Sequence, residues 1–326
     1  MTHRPALSAL FTLTLASAPT WAQSNVSISG FLDVGVFRAF NETKNVGTIQ
    51  RSNLAFSGSE DLGGGLAATF KLSTRFDMDT GTPEGVGQKP FWQGESTVGL
   101  KGAFGAMRFG RALDVVSNND WAYDPWYNFN RIASPAWQFW HYNYASDRTS
   151  NAGSAEYGRL SNGVFYDSPS FGGFAAHLSG AFENSSAPGA GAGNNVGVSL
   201  NYDYGPASAM LAHSKNSSGD TVTFVGGKYT IGSLQLMGAY DTSKFEAAVD
   251  SKAKVFTLGA VYSIGVTALK LGFGRLDVDG AKTNFLGLGA DYSLSKRTTV
   301  YVSAGHNDPK NGDSTDAYGV GLSHSF

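Results

Sequence analysis

Arg51, Lys71 and Arg75 share one alternation parity with Asn53, Thr69 and Asp77, so on extended backbone they project from a single face. Cations gathered in this way attract and orient anions without making or breaking a bond. Further along runs a set of aromatics: Trp121, Tyr123, Trp126, Tyr127, Phe129, Trp137, Phe139, Trp140, Tyr142 and Tyr144. Such rings either stack on sugars or aromatic acids, which makes Trp121, Tyr123, Trp126 and Tyr127 candidates for solute contact, or pack a loop against a wall, which is the commoner use.

Bond-making chemistry has less support. No Gly-x-Ser-x-Gly elbow, His-Glu-x-x-His or Walker pattern occurs. Gly63-x-Gly65-x-x-Ala68 mimics a dinucleotide fingerprint but falls in a turn between strands, where no helix follows. Asp77-x-Asp79-x-Gly81 and Asp277-x-Asp279-Gly280 lack the remaining ligands of a calcium loop, and with no cysteine in the chain thiolate sites are excluded; neither metal nor cofactor is expected. His177, Ser179 and Glu183 share a parity and supply hydrolase residue types, so the rival class is an outer-membrane lipase or protease. A triad needs a specific hydrogen-bonded geometry that shared parity does not give. The net charge of −2 provides no basic footprint for nucleic acid.

The elements that must carry these residues are strands. Val196, Val198, Leu200, Tyr202 and Tyr204 alternate with Gly197, Ser199, Asn201 and Asp203. The same period recurs through Phe256–Ile264 and Leu286–Leu294, with no sustained helical period anywhere. The polar parity is mostly Gly, Ser, Asn and Asp, where a soluble sandwich would carry Lys, Glu and Thr. Small polar residues suit a water-filled lumen, and an apolar face ending in Tyr or Phe suits lipid. Backbone in lipid must pair completely, which forces such a sheet to close into a barrel. Residues 1–22, basic at Arg4, apolar from Ala6 to Ala18 and small at Ala22, read as a signal peptide, leaving 23–326 as one barrel domain. Sixteen strands over those 304 residues leave about 19 per strand and connection, as a spanning strand of about 10 residues requires. The expected fold is all-β: a 16-stranded antiparallel transmembrane β-barrel.

Several stretches resemble the Gram-negative general porins of the Neisseria, Bordetella and Burkholderia type. They include Ser29-Gly30-Phe31-Leu32-Asp33-Val34-Gly35, Gly58-Ser59-Glu60-Asp61-Leu62-Gly63-Gly64-Gly65-Leu66, Phe109-Gly110-Arg111, Arg159-Leu160-Ser161-Asn162 and Tyr166-Asp167-Ser168-Pro169-Ser170-Phe171-Gly172-Gly173-Phe174, with Gly321–Phe326 at the end. The resemblance implies a homotrimer embedded in outer-membrane lipid and lipopolysaccharide, passive diffusion of small hydrophilic solutes, and a long third loop folded inward. The terminal Phe326 is similar to the signal by which the family engages the outer-membrane assembly machinery. About fifty residues separate the strands ending near Ala112 and starting near Asn162, far more than an ordinary connection.

Porins select by charge, with wall arginines facing acidic residues on the inward loop. On the family's pattern Arg111 and Arg159 join Arg51, Lys71 and Arg75 as the basic side. The family often carries a basic residue where this chain has Asn53, and Arg51 on the same face stands in for it. Strict alternation would put Arg111 in lipid with Met107 and Phe109, at a cost of about 2–4 kcal/mol, so a bulge at Gly110 is expected to turn it inward. Asp114, Asp120 and Asp124 are the candidates for the acidic side, ahead of Glu156, each with a solvated loop carboxylate as the alternative. Five basic candidates against three leading carboxylates lean towards anions; the alternative is a substrate-specific channel for aromatic or sugar solutes.

Overall fold

The computed structural model describes residues 25–85, 90–141, 158–182, 194–216, 219–245 and 251–326. The expected signal peptide, Tyr142, Tyr144, Glu156 and Glu183 lie outside them. The opening strands are β1 (Asn25–Arg38), β2 (Lys44–Gly47), β3 (Ser52–Gly63), β4 (Leu66–Phe76), β5 (Glu95–Gly102), β6 (Gly105–Leu113), β7 (Arg159–Asp167) and β8 (Phe174–Ala181). They continue with β9 (Asn195–Tyr204), β10 (Ala207–Lys215), β11 (Thr221–Ile231), β12 (Leu234–Phe245), β13 (Ser251–Ile264), β14 (Thr267–Val278), β15 (Ala281–Ser293), β16 (Thr298–Pro309) and β17 (Thr315–Ser325). All pair antiparallel with their neighbours, and β1 pairs with β17, so the sheet closes.

Seventeen strands make sixteen staves, because β2 and β3 pair with successive parts of β1 and are two pieces of one crossing. A buried carboxylate makes the interruption. Asp33 accepts the N–H groups of Ile49 (2.9 Å) and Gln50 (2.7 Å), and its own N–H is donated to Ser52 Oγ at 3.0 Å. The hydroxyl of Tyr301 on β16 donates to the same carboxylate. Side-chain acceptors thus replace the ladder across 48–51, as buried backbone donors demand.

Period two sorts the walls. On β10, Leu211 is exposed while Met210 and Ala212 are buried; on β16, Val302 is exposed while Tyr301 and Ser303 are buried. The expected bulge is present: the register of β6 on β7 shifts between Gly110 and Ala112, Gly110 adopts φ 128°, and Arg111 is buried inward. At the seam Gly30 and Phe326 exchange both backbone hydrogen bonds at 3.1 Å, and the Phe326 ring covers the place a Gly30 side chain would take.

Inward glycines do more than line water. Residues 114–141, with a 3-10 turn at Asp120–Tyr123 and a short helix α1 (Pro135–Phe139), run against the buried parity of β11 to β16. Asn130 donates to Ser303 Oγ (2.8 Å), Trp140 Nε1 to Thr257 Oγ1 (3.2 Å) and the His141 N–H to Asp241 (2.8 Å). A Cβ on Gly287 would overlap the Ala133 carbonyl, and one on Gly305 the Ile132 carbonyl. Tyr123, Trp126, Phe139 and Trp140 are buried there, with Trp140 edge-on to Phe224 at 5.0 Å and Phe139 to Phe285 at 6.0 Å. At about 1.5–3 kcal/mol for each large apolar side chain removed from water, this packing outweighs the exposed ion pairs.

Substituting Gly287→Val should therefore displace the 130s segment without opening the sheet. Overpacking of this kind costs about 1–3 kcal/mol. The expected outcome is a raised single-channel conductance in planar bilayers, with the heat-modifiable band of a folded barrel retained on gels.

Candidate functional site

Two adjoining cavities, each of about 280 Å3, run through the interior beside β3 to β7. Ser29, Asn53, Ser73 and Glu95 border one; Arg51, Trp121, Asn128 and Phe129 border the other. Lys71, Arg75, Leu113, Asn118 and Arg159 border both, so they mark the junction. Alternation delivers the cations: Lys71, Ser73 and Arg75 are successive inward positions of β4, and Arg159 opens β7 opposite Leu113.

The basic residues have carboxylate partners, and the one with the most contacts lies where alternation carries no information. Glu84, in the connection between β4 and β5, is buried with Arg51 Nε 3.2 Å, Arg131 Nη2 2.8 Å and Arg75 Nη1 3.7 Å away. Burial alone would raise its pKa, yet Arg51, Arg75 and Arg131 override that and hold it at about 2. Arg131 also reaches Asp77 at 3.1 Å, and the guanidiniums of Arg51 and Arg131 lie over the Trp137 ring at 4.8 and 5.7 Å. Along the wall a second chain alternates in sign from strand to strand. Lys71 pairs with Glu95 (2.9 Å), Glu95 with Arg108 (2.9 Å), Arg108 with Asp167 (3.2 Å) and Asp167 with His177 (2.7 Å).

Arg111 and Arg159 are both buried and tie the segment before β5 to the wall: Arg111 Nε donates to the Gln93 carbonyl (3.2 Å), Arg159 Nε to that of Gly94 (2.8 Å). Arg111 also donates to Ser161 Oγ at 2.8 Å and borders neither cavity.

Of the three loop aspartates only Asp120 touches the passage. It pairs with His141, which also pairs with Asp241 of β12, so the cluster ties the loop to the opposite wall. Burial would lower the His141 pKa, but the Asp241 and Asp120 carboxylates raise it to about 10. Asp124 is turned away: its buried carboxylate accepts the N–H groups of Trp126 (2.9 Å) and Asn128 (3.0 Å) and the Ser134 hydroxyl (2.9 Å). That arrangement holds Tyr127 and Asn128 at φ 56° and 58°, the left-handed region that costs about 1–2 kcal/mol per residue. Asp114 accepts the Ser117 N–H at 2.8 Å and also borders neither cavity. A loop inside a barrel must find acceptors for its own N–H groups, and short aspartates serve that need first.

The four aromatic candidates divide. Tyr123 and Trp126 are buried against the wall, whereas Trp121 and Tyr127 are 42% and 46% exposed. Glu84, Arg131 and His141 were missed because they sit in connections, where parity carries no information. Glu95 was readable, since it shares the inward parity of Thr97 on β5.

Residues 6–322 match the sequence profile of the family described as Gram-negative porin. The chain is 32% identical to outer membrane porin protein 32 of Delftia acidovorans, over 88% of this chain and 84% of that protein. It is 28% identical to the major outer membrane protein P.IB of Neisseria sicca, over 97% and 99%. Among solved structures it is similar to an anion-selective porin from Comamonas acidovorans, with a TM-score of 0.80 at 27% identity, covering 93% of this chain and all of that one. An outer membrane protein of Vibrio cholerae solved in a trimer form shares the fold, with a TM-score of 0.68 at 14% identity over 93% and 99%.

The displaced pKa values of His141 and Glu84 make two of these ties depend on pH. His141, raised above its ordinary 6.5, contributes fully below about 6.5, and that contribution is lost as pH rises through about 10. Glu84, depressed from 4.5, contributes fully above about 4.5, and its share is lost as pH falls through about 2. Single-channel current should therefore hold steady around pH 5–6, change on the alkaline side as the His141 tie is lost, and lose that alkaline transition in His141→Gln.

Proposed function

Since the chain belongs to the Gram-negative porin family and forms an outer-membrane channel for passive diffusion, we propose that its passage prefers anions. The observation that carries this reading is the charge around the junction. Seven cations, Arg51, Lys71, Arg75, Arg108, Arg111, Arg131 and Arg159, stand against five carboxylates, Asp77, Glu84, Glu95, Asp120 and Asp167. In a narrow aqueous passage walled by protein such an excess concentrates counter-ions of the opposite sign. Lys71, Arg75 and Arg159 form the ring that solutes meet, while Arg51 and Arg111 hold the neighbouring segments. The acidic side comes from Glu84 and Glu95, with Asp120 as the third loop's contribution.

A hydrolase has less to support it. The Ser179 hydroxyl accepts the Val115 N–H at 3.3 Å, while His177 pairs with Asp167 rather than with that hydroxyl. The relatives are channels as well.

In the same reading residues 1–22 are an export signal removed before Gln23, and Phe326 is the end that the assembly machinery engages. The channel works as a homotrimer, the form in which one structural neighbour was solved. Outer-leaflet lipid and lipopolysaccharide meet outward cations near one end of β12 to β15: Lys244 lies opposite Lys252, Lys254 and Lys282 flank Asp277, and Arg275 lies beside Phe256. Phosphate-bearing head groups are the chemistry that suits such cations.

Reversal potentials across a sodium chloride gradient test the anion preference, which predicts chloride over sodium. Reversing two of the seven cations, Lys71→Glu with Arg75→Glu, turns an excess of two into a deficit of two. The double variant is expected to favour sodium, and a wild-type channel that already favours sodium would overturn the reading.

A further inference from the structure

The aromatics of the third loop are not equivalent. Tyr123, Trp126, Phe139 and Trp140 are consumed in packing, and Trp137 is covered by two guanidiniums. Trp121 is exposed, and it borders the same cavity as Phe129, Lys71, Arg75 and Arg159. Its position is fixed: the indole N–H donates to the Asn118 carbonyl at 2.6 Å, and the ring meets Tyr127 edge-on at 5.9 Å. What it offers the cavity is therefore a held apolar surface with its one polar atom already used. An indole kept in water beside a cationic wall gains from a ligand that covers it.

Resting on the anion preference proposed above, we propose that this cavity is a binding subsite for aromatic monocarboxylates, with the ring against Trp121 and Phe129 and the carboxylate at Lys71 and Arg75. Two features separate this ligand class from sugars. Arg51, Lys71, Arg75 and Arg159 border the same cavity and outnumber its one carboxylate, Asp120, which suits a carboxylate ligand, and the indole N–H that would otherwise bond a sugar hydroxyl is engaged by Asn118. Ring-on-ring contact distinguishes a flat aromatic acid from a saturated one of the same size and charge, because only the former presents a π face.

The test compares sodium benzoate with sodium cyclohexanecarboxylate as blockers of chloride current through the purified channel in planar bilayers. Benzoate is expected to reach half-block at a concentration about threefold lower. Trp121→Leu should bring the two acids together, Trp121→Phe should keep most of the difference, and Phe129→Leu should narrow it. Equal half-block by the two acids in a wild-type channel that still favours chloride overturns the subsite and leaves the anion preference standing. So does a threefold difference that survives in Trp121→Leu. If Trp121→Leu does not insert, Phe129→Leu decides, and an unchanged ratio there overturns the proposal. A wild-type channel that favours sodium removes the reading on which the subsite rests.

Discussion

A sheet in lipid has nowhere to leave an unpaired N–H, and each orphan would cost several kcal/mol. Closure is the only solution, and it is completed where β1 meets both β17 and β3. The seam is sealed at the chain's last residue, where Phe326 trades backbone bonds with Gly30 and lays its ring over it. Everything functional depends on this constraint, because a closed wall with lipid outside leaves the interior as the one place for polar side chains to gather. It also fixes the price of any irregularity. At 48–51 the ladder is broken, and the chain can tolerate that only because Asp33 supplies acceptors from within.

The broken stave is where the interior is assembled. Ile49 gives its carbonyl to the Arg131 N–H at 2.9 Å, and Thr48 Oγ1 takes the Met78 N–H at 3.0 Å. Two connections, one after β4 and one after β6, thus dock at the same interruption, and Arg51 emerges from it onto Glu84 and Trp137. An unbroken strand would have spent those groups on its neighbours. The connection after β6 is then pressed into inward glycines across the barrel, and that contact helps to position Trp121 and Asn118 at the junction.

The walls were legible because alternation is forced by lipid on one side and water on the other. Even Arg111 obeyed: its type was incompatible with the face that parity assigned, and the bulge at Gly110 resolved the conflict as expected. The broken second stave was not legible, since its cause is a single carboxylate whose partners lie sixteen and seventeen residues away. The glycine face was misassigned in part. A residue without a side chain is equally suited to water and to close backbone approach, and only the register of the loop on β15 and β16 decides between them. The surroundings of Asp114 and Asp124 were hidden for a related reason. A sequence shows a carboxylate, but it does not show how many backbone donors the surrounding turn leaves for that carboxylate to satisfy.

That diversion bears on the proposed anion preference. Had the third loop presented all three aspartates to the passage, they would have joined Glu84 and Glu95 in cancelling the wall cations. Two of the three are consumed by the loop's own turns, and the third is paired with His141, whose proton is held to about pH 10. Of the loop's three aspartates, then, Asp120 alone borders the junction, and it is paired with His141. Two of the carboxylates that do face the cations hold more than one: Glu84 holds three and Glu95 two. One acid shared among several bases fixes the geometry of the basic group while leaving its excess charge uncancelled, and that surplus is what the proposed anion preference rests on.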